Sequence, residues 1–481
     1  MLRSQLTDEE MGNQAMSGPF LAGTGRVDIT PVPGTPQGGW GAQTHPRGTH
    51  ADMPFYATAL ALGKSENVAL IIDVDAIGFD REWTGRIIDA VASVTGLDQW
   101  RIRLSCTHTH SGPNTFRLAN ISEGLDMVLA YLESLPLRIA GAAWQAIQNL
   151  EPARIGSRRG ECAVNACRRV RAGNRVVVGS DPDAPADRSL RVVRIDSLER
   201  RPIAVLMHYA CHGTTIAWQS TAFTPDFPGP ARAVVEHHLG GRCLFLQGAA
   251  ADLGPREGFT GDLDVYRRLG LELGLAAAHL AVSIETQPRR RSVDRVIRSG
   301  ADIALYTYEL EESPASAFRV MTRDAALPIR EFRPLEELEA ELAELRSQAH
   351  RLKDEGRIEE FSVANALATQ MGWRAGNART YRGQSETAWT MHAVSIGNIA
   401  LAGVPGEPFS SIGQAVARES PFAETLFSGY SNGGFGYIPD EAAYREGGYE
   451  IEAMPFAEGA GERLTAEVLR LLTDLKNYET A

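Results

Sequence analysis

The ordered parts of this chain announce themselves as continuous apolar runs, punctuated by glycine and proline. "NVALIIDVDAIGF" (67–79), "RPIAVLMHYACHGTT" (201–215) and "GRCLFLQGAAADLGP" (241–255) read as strands. The first is apolar without alternation, as a strand buried on both faces requires. "GRVDITPVPG" (25–34) predicts a short strand stopped by prolines, and "HADMPFYATALALG" (50–63) another. "HAVSIGNIALAGVPGEPF" (392–409) predicts a strand pair ending in a tight Pro-Gly turn. Helical periodicity replaces these runs in "REWTGRIIDAVASVTG" (81–96), which closes on glycine, and in 125–150, "DVYRRLGLELGLAAAHLAVSIE", "ARAVVEHHLGG" and "ERLTAEVLRLLTDLKNY". The strand–helix–strand order of 67–110 predicts a parallel pair, with "CTHTH" at its C-terminal edge, where α/β folds place their ligands. A charged pattern over 335–375, "PLEELEAELAELRSQAHRLKDEG" then "FSVANALATQMGW", predicts an exposed helical hairpin with no visible chemistry.

These elements predict an α/β fold: mixed multi-strand sheets flanked by helices. No fixed-period repeat and no Pro/Ser/Gly-rich linker divides the chain. The expected organisation is a flexible segment over 1–20, then one composite domain over 21–481 carrying the hairpin as an insertion.

Composition narrows the function. The chain has 481 residues, 43% hydrophobic and 22% charged, with a formal net charge of −12. Such acidity argues against a nucleic-acid partner, which demands a basic face. Five cysteines without a CxxC spacing point to reduced thiols and a cytoplasmic setting. "MLRSQLTDEEMGNQ" has no apolar core suited to a secretory signal, and no run reaches the ~18 apolar residues of a membrane span.

Four polar elements end apolar strands or occupy glycine-rich loops: His108/His110, His208/His212, Glu407, and the tyrosine-rich segment "YSNGGFGYIPDEAAYREGGYE" (430–450). A hydrolytic zinc site needs about three N/O ligands and one open position. HEXXH is absent, so any such site is assembled from distant segments. His208 shares a strand side with His212 and is expected in the core. His237-His238 belong to an amphipathic helix surface. His45 and His50 are candidates for a cleft wall. Asp226 and Asp252 are expected to fix loops and orient a histidine. Cys106 and Cys211 adjoin the histidines and open a thiol-nucleophile alternative. "GGFG" and "QGAAADLG" lack the Lys-Ser/Thr of a phosphate loop.

"GRVDITP", "CTHTHSGP", "HGTT", "TPDFPGPAR", "FLQGAAADLGP", "VPGEPF" and "GYIPDEAAYREGGYE" occur in an order that resembles the neutral/alkaline non-lysosomal ceramidase family over residues ~20 to ~455. The resemblance implies a zinc ion (Zn2+) held by His108, His212, Glu407 and Tyr437. It implies that His110, beside the metal, meets the substrate together with Tyr449, which follows Tyr437 by the family's twelve residues. The family's "NR" arginine is broken here to "AVNACRRV", which makes Arg168, before Arg169, the substrate-facing candidate. No counterpart of the C-terminal β-sandwich of secreted members is expected after Tyr449, and the hairpin over 335–375 is expected to reshape the cleft mouth.

The implied activity is zinc-dependent hydrolysis of an N-acyl amide by activated water. The partner is a small-molecule amide, with no nucleic acid and no membrane insertion, in a chain that can form homo-oligomers. The same scaffold suits an ester or lactone. A cysteine hydrolase and a metal- or carbohydrate-binding protein without turnover are the other classes.

Overall fold

The computed structural model describes residues 18–478 apart from 44, 117, 119, 120, 122, 311–316 and 435. Most of the expected flexible segment, 1–17, lies outside the described residues. Phe20 already opens a strand and is buried.

Twelve strands form two sheets. The first contains β1 (Phe20–Asp28), β2 (Tyr56–Lys64), β3 (Asn67–Val74), β4 (Ile102–Cys106), β5 (Glu151–Glu161), β6 (Ser189–Ser197), β7 (Pro202–Tyr209) and β8 (Arg242–Gln247), in the order β8-β7-β6-β5-β1-β2-β3-β4. The second contains β9 (Phe318–Pro328), β10 (Glu386–Ile396), β11 (Ile399–Gly403) and β12 (Glu424–Ser428), in that order. The helices are α1 (Arg81–Thr95), α2 (Leu125–Gln148), α3 (Pro228–Leu239), α4 (Leu263–Val282), α5 (Leu335–Asp354), α6 (Ile358–Tyr381), α7 (Ser410–Glu419), α8 (Glu441–Glu446), α9 (Tyr449–Ala453) and α10 (Ala460–Asn477).

One topological unit occurs three times. Three antiparallel strands are followed by a helix, and a fourth strand then pairs in parallel with the third. β1–β4 with α1, β5–β8 with α3, and β9–β12 with α7 all follow this plan. Each unit ends in a long helix, α2, α4 or α10. The unequal spacing of the units along the chain explains why no fixed period is visible in the sequence.

The units stack as four layers. Helices α1 to α4 cover the outer face of the first sheet through Ala59, Leu70 and Ile72 on one half, and Val205, Met207 and Phe245 on the other. The inner face, with Leu60, Ile71, Leu206 and Leu244, packs on Val394, Leu401 and Leu426 of the second sheet. The opposite face of that sheet is covered by α7 and α10. Leu70 and Ile71 thus face different layers. That is why β3 is apolar at every position from Val68 to Ile72 rather than at every second one.

A buried charge cluster links two units. Arg232 of α3 donates to Asp73 at 2.8 Å and to Asp75 at 2.6 Å, at the end of β3, and all three side chains are buried. Asp73 also accepts from Phe245 N on β8, and Asp75 from Tyr56 N. Satisfied on this many sides, the cluster locks the C-terminal ends of β3 and β8 to each other.

Candidate metal centre and cavity

All six C-terminal ends of the parallel strand pairs point to one place, and the loops that follow them build the site. Their backbones touch directly: Thr109 bridges Gly213, Ser105 bridges Ser431, and Gly248 bridges Ser428. The first contact requires glycine, because a Cβ on Gly213 would lie 2.5 Å from the carbonyl oxygen of His108. His108 itself holds left-handed backbone, φ 63°, a conformation costly for a non-glycine residue and typical of functional sites. Asp226, at φ 55°, braces the second histidine loop by accepting from the amides of Thr215 and Ile216.

Three imidazoles converge. His108 Nε2 is 3.0 Å from His212 Nε2 and 3.3 Å from His110 Nε2. The remaining nitrogens are held by carbonyl oxygens: His108 Nδ1 lies 2.6 Å from Ile77 O, His110 Nδ1 3.0 Å from Gly39 O, and His212 Nδ1 3.2 Å from Ala250 O. A carbonyl only accepts, so each Nδ1 carries the proton and each Nε2 offers a lone pair inward. Burial, with Arg168 and the neighbouring histidines, lowers the His212 pKa well below its usual value, which keeps that ring neutral. Glu407 Oε2 stands 3.5 Å from His108 Nε2 and 3.6 Å from His212 Nε2. Ligand atoms of His108, His110 and His212 all fall within 4.8 Å of one another, so the three can hold a metal ion. Neutral nitrogens plus one carboxylate are a donor set suited to a borderline transition metal.

The other implied residues gather beside this cluster. Glu407 and Tyr437 are paired neighbours in a short parallel bridge. The Tyr437 and Tyr449 rings lie 5.6 Å apart, and the Arg168 guanidinium is 5.2 Å from the Tyr437 ring. Burial, then Glu407 and Tyr449, push the Tyr437 phenol well above its usual range. Burial opposes the charge on Arg168, but Tyr437 and Glu450 outweigh it and raise its pKa. The two arginines separate clearly. Arg168 reaches the cavity, whereas Arg169 turns to Glu446, Glu450 and Gly447 O.

A cavity of about 800 Å³ opens from the histidines, lined by His110, Arg168, Tyr437 and Tyr449. Its near wall is aromatic: Trp40 packs on His110 at 5.2 Å, on Trp218 at 5.6 Å and on Phe259 at 5.7 Å. Its roof is the α5–α6 hairpin, which supplies Phe361, Asn365, Thr369 and Trp373. Trp373 meets the Tyr449 ring at 5.5 Å. The hairpin is fastened on both sides, by Asn365 to Gly41 O and by Asn377 to Ala453 O. The hairpin, expected to carry no chemistry of its own but to shape the cleft mouth, lines that mouth.

Some of the remaining expectations agree with the structure and others need correction. The histidines are oriented by backbone carbonyls, not by Asp226 or Asp252. Asp252 instead accepts from the amide and hydroxyl of Ser410. His45 does line the cavity, whereas His50 lies exposed in a short strand outside its lining. His208 is a core residue bonded to Phe427 O, and His237 and His238 are exposed. Cys106 and Cys211 are buried, and burial pushes both thiols up, the opposite of an activated nucleophile.

Two residues went unremarked in the sequence. Tyr430 stacks on His108 at 4.4 Å between ring centroids and brings its hydroxyl to 3.5 Å from His212 Nδ1. Glu450, buried, bonds both Arg168 and Arg169. Tyr430 opens the tyrosine-rich segment and Glu450 follows Tyr449, but nothing in their local pattern sets them apart from loop residues.

No family model and no curated protein matches the sequence. Among solved structures, the neutral ceramidase from Pseudomonas aeruginosa superposes with a TM-score of 0.68 at 17% identity, over 96% of this chain and 75% of that one. A ceramidase complexed with C2 superposes with a TM-score of 0.65 at 15% identity, over 96% and 76%.

Proposed function

We propose that this chain, which has the neutral ceramidase fold, is a zinc-dependent hydrolase of N-acyl amides. One observation carries the proposal: three inward Nε2 lone pairs and a carboxylate meet at the floor of a half-enclosed cavity. His108, His212, Glu407 and Tyr437 would hold the ion. His108 and His212 are buried behind it, whereas His110 is the one of these three histidines that lines the cavity. That division favours His110 as the substrate-facing group. Zinc in such a set would supply Lewis acidity and lower the pKa of water towards ~7, so that hydroxide is available to attack a carbonyl near neutral pH.

The chain's own residues supply the rest. Trp40, Trp218 and Trp373 exclude water and position the acyl amide against the histidines. Arg168, fixed by Glu450, offers a permanent positive charge to oxygen that becomes anionic in the transition state. Tyr449 offers a hydroxyl donor from the same wall. His110, with its Nδ1 proton held on Gly39 O, leaves Nε2 to accept a proton and return it to the departing amine.

The deciding experiment combines metal analysis with a panel of N-acyl amides of graded chain length. About one zinc per chain, lost together with turnover in His212→Ala or Glu407→Ala, is the expected result. An active protein free of metal, or a zinc-loaded protein inert on the whole panel, overturns the proposal.

A further inference from the structure

Residues Arg289–Ser299 and Ala301–Leu310 form a two-stranded ribbon that turns on Gly300. Nearly every residue in it is exposed, on both faces. Within the described residues, each of its strands packs extensively only against the other. An isolated hairpin is at best marginal in water, so a ribbon this long calls for a surface to lie on.

Its side chains are those of an interface. Val293, Val296, Ile297, Ile303, Tyr306, Tyr308 and Leu310 are exposed large apolar residues within 22 positions. The register puts Val293 opposite Tyr306, Val296 opposite Ala304 and Arg291 opposite Tyr308, so one face carries Val293, Val296, Tyr306 and Tyr308 together. Arg289 and Arg291 cover the rings of Tyr308 and Tyr306. A second apolar surface, exposed among the described residues, lies just before the ribbon in the chain. Leu271, Leu275 and Val282 are exposed on α4, and their spacing of four and seven residues places them on one outward helix face. That stripe is ~16 Å long and ends seven residues before the ribbon begins.

We infer that the ribbon is a dimerisation arm, and that a second copy of this chain receives it along the α4 stripe in a reciprocal, two-fold exchange. Two observations select a second copy. A two-fold contact needs both complementary surfaces on the same molecule and close together, and the arm and the stripe meet that condition. Charge agrees: five arginines against Asp294, Asp302 and Glu309 give the ribbon +2, so the remainder of a −12 chain carries −14. The arm of one copy is attracted to the body of the other.

Sedimentation equilibrium of the full-length protein tests this. Wild type is expected at twice the 52.2 kDa chain mass. An arm variant, Val293→Glu/Tyr308→Glu, and a stripe variant, Leu275→Glu, are each expected to raise the dimer dissociation constant about a hundredfold. Both variants keep unchanged far-ultraviolet dichroism, because the altered side chains are exposed. Mixing the two is expected to restore dimers, because one intact arm then meets one intact stripe. A monomeric wild type overturns the inference, as does a dimer indifferent to Leu275→Glu or a mixture that stays monomeric. A monomer that co-sediments with phosphatidylserine vesicles through the arm also overturns it, and assigns the ribbon to a lipid surface.

Discussion

The floor and the roof of the cavity are built on opposite principles. The floor is made from six loops of three different units. Its polar groups are buried, and each histidine is held by a backbone carbonyl. The roof is one contiguous hairpin. Its charges stand in water and pair across exposed positions, as Arg379 does with Glu339 and Arg333 with Glu341. Its hold on the floor is a few side-chain bonds and the Trp373–Tyr449 contact. Reactivity demands preorganised lone pairs and so tolerates no slack. Specificity demands a shaped lid and so tolerates substitution.

Substitutions separate the two. His212→Ala deletes a fully buried donor and is expected to lower kcat/KM more than a thousandfold, several kcal/mol, with loss of bound zinc measurable by mass spectrometry. Retained turnover would break the assignment of the floor. Beneath it, Arg232→Met strands the carboxylates Asp73 and Asp75 and is expected to cost about 3–5 kcal/mol in urea unfolding.

The layer between the sheets also makes stability depend on pH. Burial holds His208 down to about 4 and His392 down to about 3, against 6.5 when unfolded. Between those values the unfolded chain binds protons that the folded chain does not. Stability is therefore complete above pH 6.5 and is lost as pH falls through that window. His392→Leu is expected to flatten the decline by up to roughly 1.4 kcal/mol per pH unit, read from denaturation midpoints at pH 5 and pH 7.5.

Gly213→Ala would press a Cβ onto the His108 carbonyl and is expected to lower metal affinity and activity about 10–100-fold without unfolding the protein. Smallest is the roof. Trp373→Ala is expected to raise KM a few-fold for long acyl amides and hardly at all for short ones, with zinc content unchanged. An equal effect on kcat for every chain length would show instead that Trp373 acts through Tyr449 on the reacting groups.

Much of this was legible without coordinates. The continuous apolar runs of β3, β7 and β8 predicted buried strands because each lies between two layers. The glycine stop of α1 predicted Gly96, which indeed closes the helix in left-handed backbone. The charged hairpin was legible as two helices, although α6 runs on to Tyr381, beyond the expected end near 375. The arm at 289–310 and strands β5, β6 and β9 were not singled out. Their apolar positions are interrupted by arginine and aspartate: in the arm, β5 and β9 because one face is solvated or both are, and in β6 because Arg191 and Asp196 are buried with polar partners, Glu424 and Thr286.

Local sequence by itself determined which segments are strand or helix, and which chemically capable residues stand at strand ends. It did so because period and punctuation are set by neighbours a few bonds away. That His108, His212 and Glu407 meet was an expectation only through the family resemblance; local pattern could not supply it. The tertiary structure brings them within 3.6 Å although they come from three units more than a hundred residues apart. It also decided that carbonyl oxygens orient the rings and that an unremarkable charged hairpin roofs the site. These depend on strand pairing and layer packing across long separations, where the spacing of residues along the chain carries no information about distance.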